Sequence, residues 1–240
     1  MFIVILIWLA REESCQKMIQ LLKVKDKAEG QIKAHQVLVE QVNKETLLAL
    51  CGGTSPDYKK MIVDPADIHP GAVCLTDERW GHAFHQNSNE LLIKKSGLID
   101  YLASKKVKSY KYLDGKTIQQ TEKAYDMIIR QLFAKFPKRV AVMGVSTNLH
   151  TAGIFPHSKA LKSPAYVVSE IVDDQFPQRL TITLKALGEF TSFVVLVFGQ
   201  EKKDALKLML DVNENDMQTY PAIFFRKCRA TAHLITDITF

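Results

Sequence analysis

Apolar positions along this chain fall into short runs that alternate with longer stretches of helical period. Lys25 to Asn43 places Ala28, Ile32, Val39 and Val42 at helical spacing. Leu47 to Leu50 then reads as a short buried strand broken by Gly52-Gly53, and Ala72 to Thr76 as another. Ser88 to Leu102 reads as a helix, and Ile118 to Phe136 carries apolar residues at 118, 125, 128, 132 and 136, an amphipathic stripe. Arg139 to Gly144, Tyr166 to Ser169, Leu180 to Leu184 and Phe193 to Phe198 read as strands. Glu201 to Leu210 reads as a helix and Ala232 to Ile235 as a last strand. Such alternation predicts βαβ units and an α/β fold in three αβα layers, a mostly parallel sheet with helices on both faces.

The sequence shows no low-complexity linker and no internal repeat, so residues 18–240 are expected to form a single domain. Residues 1–17 stand apart as an apolar extension of unknown role. Its first ten residues, MFIVILIWLA, are fewer than the roughly 20 a bilayer span needs. No basic residue precedes them and no small-residue cleavage site follows, which fits a signal peptide poorly. The run reads as an extra β-strand or an ill-defined chain start, with a membrane-surface anchor the lesser alternative.

Composition adds little to that picture. The chain has 240 residues, 47% hydrophobic and 24% charged, with a net charge of +6. The mild basic excess favours small anions as partners. Lys105, Lys106, Lys108, Lys111 and Lys116, with Tyr110 and Tyr112 among them, could form a nucleic-acid strip; a solvated loop is the better reading, and no nucleic-acid motif accompanies them. Cys15, Cys51, Cys74 and Cys228 lack CxxC spacing and read as free thiols of a reducing cytosol.

Chemistry is expected beyond the carboxyl ends of the strands, where open α/β sheets bind their ligands. The strand ending at Gly144 delivers His150 through a short polar loop. A neutral imidazole with an acceptor behind it is a general base at neutral pH; the alternative is a buried, hydrogen-bonded histidine. After Leu50, Gly52-Gly53-Thr54-Ser55 let the backbone turn closely, and Pro56 can open a helix whose amides would bind phosphate or carboxylate. A plain glycine turn is the alternative. Asp77-Glu78-Arg79 follows a buried strand directly: the acids can orient a hydroxyl or a water, and Arg79 can grip an oxyanion. A solvated loop or a local salt bridge explains them as well. Arg179 and Lys202 lie near further strand ends, and a cation at a helix start, as at Lys202, opposes the helix dipole unless an anion sits there. His82 and His85 have metal-compatible spacing, but nothing nearby completes a zinc set.

In this order the motifs resemble those of the 6-phosphogluconolactonases, within the larger group that includes glucosamine-6-phosphate deaminases. Leu50-Cys51-Gly52-Gly53-Thr54-Ser55-Pro56 resembles that family's Leu-Ser-Gly-Gly-Ser-Thr-Pro phosphate loop. Asp77-Glu78-Arg79 with Ser88-Asn89 is similar to its Asp-Glu-Arg and Ser-Asn elements. His150-Thr151-Ala152 with Phe155-Pro156 is similar to its catalytic His-Thr-Ala-Ser-x-Phe-Pro. Arg179-Leu180-Thr181, Gly199 with Lys202, and Tyr220-Pro221-Ala222 follow in the family's order, and the resemblance runs from about Met18 to the C-terminus. It departs at the histidine loop: where the family carries Gly-x-Gly-x-Asp-Gly-His, this chain has Ser146, Asn148 and Leu149. Cys51 stands in place of a serine, and Thr54-Ser55 reverses the usual order.

The resemblance implies a Rossmann-like sheet and hydrolysis of 6-phospho-D-glucono-1,5-lactone to 6-phosphogluconate in the oxidative pentose phosphate pathway. His150 would be the general base, with Asn148 where its supporting carboxylate is expected. Gly52, Gly53, Thr54, Arg179 and Lys202 would hold the phosphate, and Asp77 and Arg79 would contact substrate. No metal or organic cofactor is implied. A phosphorylated sugar lactone is the expected partner, with no nucleic acid or membrane, for a cytoplasmic monomer or small homo-oligomer. Two alternatives stay open. One is a glucosamine-6-phosphate deaminase, against which Arg79 and Ile154-Phe155-Pro156, in place of that enzyme's Phe-Asn-Glu-Pro, argue. The other is a phosphosugar-binding protein with weakened or no catalysis, which Asn148 and Leu149 keep open.

Overall fold

The central strands of this chain bury both faces, so their sequences are continuous apolar runs rather than alternating ones. Thr46–Leu50 (β2), Ala72–Leu75 (β3) and Ser192–Val197 (β9) are buried at every position. The computed structural model describes residues 19–61 and 68–239. Within them, Ile19–Lys23 (β1), Lys108–Tyr110 (β5), Lys138–Gly144 (β6) and Thr231–Thr236 (β10) complete a seven-stranded sheet of order β1-β10-β9-β6-β2-β3-β5. Every pairing in it is parallel. The expected strand at residues 1–10 lies outside the described residues.

A second sheet of three antiparallel strands joins Asp77–Arg79 (β4), Val167–Ile171 (β7) and Gln178–Ile182 (β8) in the order β4-β8-β7. The segments expected at 166–169 and 180–184 are therefore strands of this sheet, not of the parallel one. Asp77-Glu78-Arg79 is no solvated loop: it pairs with β8, with Asp77 and Glu78 buried.

Helices Lys27–Gln41 (α1) and Ile118–Lys135 (α4) lie close to their expected bounds. Asp26 caps the first through the Glu29 amide, and Thr117 with Gln120 forms a capping box at the second. The helix expected over 88–102 is two, Asn89–Lys95 (α2) and Leu98–Ser104 (α3), because Gly97 takes a left-handed φ of 85° between them. No helix starts at Pro56: residues 58–61 form a turn. Leu184–Leu187 (α5) closes the β8 segment, where Thr183 caps it. Glu201 to Leu210 divides into a 3₁₀ turn, Gln200–Lys202, and helix Lys203–Leu210 (α6); a short helix, Phe224–Lys227 (α7), precedes β10. The lysine-rich segment contains β5, whose flanking charges suit an edge strand. Tyr112 is buried and stacked on Tyr125 at 3.7 Å, so it offers no platform for a base. Among the described residues, no helix is long and apolar enough to cross a membrane.

Strand β2 lies between β3 and β6, in register Leu50↔Leu75 and Leu50↔Val142. Chain order reverses here, and the loops leaving β2 and β6 part to leave a crevice.

Candidate active site

A cavity of about 280 Å³ occupies that crevice. Gly52, Gly53, Thr54, Asp77, Arg79, His150, Arg179 and Lys202 all line it. Five separate segments of the chain contribute them, and Asn148 reaches the group through His150.

The β2 loop approaches closely because it carries no side chains at its turn. A Cβ on Gly52 would stand 1.8 Å from Asn89 Oδ1, and Gly53 adopts a φ of 81°. Gln31 holds the loop from below: its Nε2 donates to the Ser55 carbonyl at 2.7 Å, and its Oε1 accepts from the Asp57 amide at 2.8 Å. Lys27 Nζ donates to the Thr54 carbonyl at 2.5 Å, and Lys202 Nζ to Ser55 Oγ at 3.3 Å. Cys51 also lines the cavity, but burial first, and Asp77 second, push its thiol up to about 12, so it is no nucleophile.

The short strand β4 brings its charges in with fixed directions. Glu78 accepts from the amides of Arg79, Asn89 and Glu90 at 2.8, 2.6 and 2.9 Å, which anchors the start of α2. Burial nonetheless raises its carboxyl to about 7, against the pull of those three donors. Asn89 Nδ2 in turn donates to the Asp77 carbonyl at 2.9 Å and to Asp77 Oδ2 at 3.1 Å. Arg79 and Arg179 sit directly opposite each other across β4 and β8. Like charges so placed repel, and each has a buried Nε without a hydrogen-bond partner. Arg179 is only 4% exposed; burial lowers its affinity for its proton, with Asp77 opposing and Arg79 adding to that effect. Asp174 partly compensates through an ion pair with Arg179 Nη2. Burial likewise lowers the Lys202 ammonium, with Glu201 opposing. Cations held this way favour an anion between them.

The loop after β6 presents the histidine. His150 Nδ1 lies 2.7 Å from Asn148 Oδ1, and the backbone amide of His150 donates to the same oxygen at 3.1 Å. That amide fixes which end of the Asn148 side chain is the oxygen. Nδ1 therefore carries the proton, and Nε2 keeps its lone pair. Ser146 Oγ also donates to Asn148 Oδ1, at 2.5 Å. The ring stacks on Phe155 at 4.1 Å between centroids. Burial, the largest influence, lowers the imidazole from 6.5 to about 4, with Asp77 opposing and Arg179 reinforcing. The ring is thus neutral at physiological pH.

Leu149, where a glycine is expected, holds a φ of 60° with its side chain buried. Its carbonyl accepts from the Ala222 amide at 3.0 Å, so the Tyr220-Pro221-Ala222 segment braces the histidine loop. Thr181 stands close to Gly153: a Cβ there would lie 2.8 Å from the Thr181 Cβ.

Sequence reasoning missed Asp174, Ser146 and Asn89 as parts of this cavity. In the sequence Asn89 stands out only as a motif residue and Ser146 only as a departure from the family pattern. Asp174, at the β7–β8 hairpin tip, carries no local signal at all. His82 and His85 are outside the cavity lining; His85 Nε2 bonds the Arg79 carbonyl at 2.9 Å.

The family model described as glucosamine-6-phosphate isomerases/6-phosphogluconolactonase matches residues 22–234. The chain belongs to this family. A 6-phosphogluconolactonase of Caulobacter vibrioides is 30% identical over 168 residues, which cover 66% of this chain and 71% of that protein. Another from Nostoc sp. is 26% identical over 188 residues, covering 75% of this chain and 77% of the relative. The fold is that of a crystal structure of a 6-phosphogluconolactonase from Shewanella baltica, with a TM-score of 0.76 at 20% identity over 90% of this chain and 96% of that one. Asn148 and Leu149 stand where the family resemblance leads one to expect an aspartate and a glycine.

Proposed function

We propose that this chain is a 6-phosphogluconolactonase, hydrolysing 6-phospho-D-glucono-1,5-lactone to 6-phosphogluconate in the oxidative pentose phosphate pathway. One observation carries the reading beyond family membership. A neutral His150, its Nδ1 proton engaged by Asn148, lines the same cavity as Arg79, Arg179, Lys202 and the Gly52-Gly53 turn. That is a base beside an anion site, with the two on separate loops.

In this reading the phosphate lies among Gly52, Gly53, Thr54, Arg179 and Lys202, and Asp77 and Arg79 contact the sugar end. His150 Nε2 takes a proton from water as its oxygen bonds to the lactone carbonyl carbon. The ring C–O bond then breaks, and the imidazolium returns the proton to the departing ring oxygen. The products are a free hydroxyl and a carboxylic acid, which ionises. Such proton transfer contributes about 10²–10⁴-fold. The reaction needs no metal or organic cofactor. The same reading places the enzyme in the cytoplasm, as a monomer or small homo-oligomer.

Parallel assays with 6-phosphogluconolactone and glucosamine 6-phosphate test it. Lactone hydrolysis above the spontaneous rate, without ammonia release from glucosamine 6-phosphate, is expected. Ammonia release would assign the deaminase reaction. Binding of 6-phosphogluconate without either activity would assign a phosphosugar-binding protein.

A further inference from the structure

A second cavity, of about 210 Å³, lies between α2, α3 and the edge strand β5. It shares no lining residue with the first. Its walls are Val73, Leu75, Ile93, Ile99 and Tyr110, a surface unsuited to a sugar. Two of its polar residues are incompletely satisfied. Glu90 is 8% exposed, and its Oε2 has no hydrogen-bond partner; Ser109 Oγ is buried and also has none. Buried polar atoms are rarely left so, and two at one cavity are acceptors or donors available to a molecule that enters it. Glu90 Oε1 is engaged by Lys111 at 3.4 Å.

Phe84, also in the lining, supplies an independent observation. It holds a φ of 56°, an outlier for a bulky side chain, and strain of this kind clusters at binding sites. Its ring lies under Lys94 Nζ at 4.7 Å and Lys111 Nζ at 4.9 Å. The strained backbone thus keeps an aromatic ring and two ammonium groups at the same apolar cavity.

We propose that this cavity is a second ligand site, for a small aromatic acid carrying a hydrogen-bond donor opposite its acid group. The ring fills the apolar walls: a cavity of roughly 150 Å³ accommodates benzene, so this one holds a ring with substituents. The donor satisfies Glu90 Oε2 or Ser109 Oγ. The acid group meets Lys94 and Lys111, and the positive charge of these two lysines disfavours the amine that a buried glutamate alone would attract.

4-Hydroxybenzoate is the probe, added to the ¹⁵N-labelled full chain and followed by amide shifts. Saturable binding with a Kd of about 1 mM or tighter is expected. The shifts should fall at Ile93, Ile99 and Tyr110 and spare Gly52 and Gly53. Phe84→Gly, which removes the ring and relieves the left-handed strain, should abolish saturation. Lys94→Glu should weaken 4-hydroxybenzoate about threefold, the scale of a partly exposed charge pair, and leave uncharged phenol unchanged. Absence of saturable shifts, shifts centred on Gly52 and Gly53, or full binding by Phe84→Gly would each overturn the proposal.

Discussion

After β2 the chain turns through Gly52 and Gly53; after β6 it turns through Ser146, Asn148 and Leu149. Both turns need a left-handed residue, with φ of 81° at Gly53 and 60° at Leu149. At Gly53 an added Cβ would meet open space, so glycine there keeps a surface bare for a ligand. At Leu149 the side chain is buried. Its burial, worth about 1.5–3 kcal/mol, offsets the left-handed cost of roughly 1–2 kcal/mol. One loop exposes backbone and is held by Gln31, Lys27 and Lys202. The other hides backbone and fixes one imidazole. Under the proposed function the contrast is a division of labour: the glycine side would bind, and the histidine side would react.

The largest expected effect breaks the reactive side alone. His150→Ala should remove the enzymatic rate, a loss of about 10²–10⁴-fold, and leave 6-phosphogluconate affinity nearly intact. Rates measured against the spontaneous background, together with a ligand titration, separate the two quantities. Wild-type turnover in this variant would show that the base lies elsewhere.

Arg179→Ala attacks the binding side. Removing a charged hydrogen-bond partner costs about 1.5–3 kcal/mol, so 6-phosphogluconate should bind roughly tenfold more weakly or worse. Calorimetric titration reads this directly, and an unchanged affinity would remove the phosphate from this site. Asp174 would lose its ion-pair partner as well, so the variant's stability should be measured alongside.

The two glycines sharpen the comparison within one loop. Gly52→Ala forces Asn89 away, and with it the hydrogen bonds that hold Asp77. A lower melting temperature and weaker ligand binding should appear together. Gly53→Ala meets no atom and should cost only the backbone strain, about 1–2 kcal/mol. Equal effects in the two variants would mean that the close approach at Gly52 does not shape the cavity.

The same contrast shows what the sequence made legible. β2, β6 and β9 were readable because burial on both faces writes an unbroken apolar run, and α1 and α4 because their caps and periods agree. β4 was not, since Asp77, Glu78 and Arg79 are charged and only the fold supplies their amide and strand partners. β5 was hidden by its lysines, and the break at Gly97 by apolar residues that resume at Leu98 and Ile99 beyond Lys94-Lys95-Ser96. For the candidate site, the loops named their own residues, but the pairing of Arg79 with Arg179 is a long-range register. Asp174 comes to Arg179 from a hairpin tip whose sequence announces nothing.

Asn148→Asp has the smallest expected effect and asks the finest question of the histidine loop. Three donors already point at Asn148 Oδ1: the His150 amide, His150 Nδ1 and Ser146 Oγ. An aspartate oxygen at the same place would accept all three without moving the loop. It would add a negative charge beside the ring, which favours the imidazolium and raises the His150 pKa from about 4. The base form exists above that pKa and is lost as pH falls through it. Wild-type kcat/KM should therefore hold level through neutral pH and drop only near pH 4. In the variant that acid limb should move to higher pH. At neutral pH kcat should rise by a few-fold, more than KM changes, because the imidazolium develops only toward the transition state. An unmoved acid limb with an intact fold would mean that Asn148 orients the ring without tuning its basicity. A limb that moves while kcat stays flat would mean that proton transfer at His150 does not limit turnover.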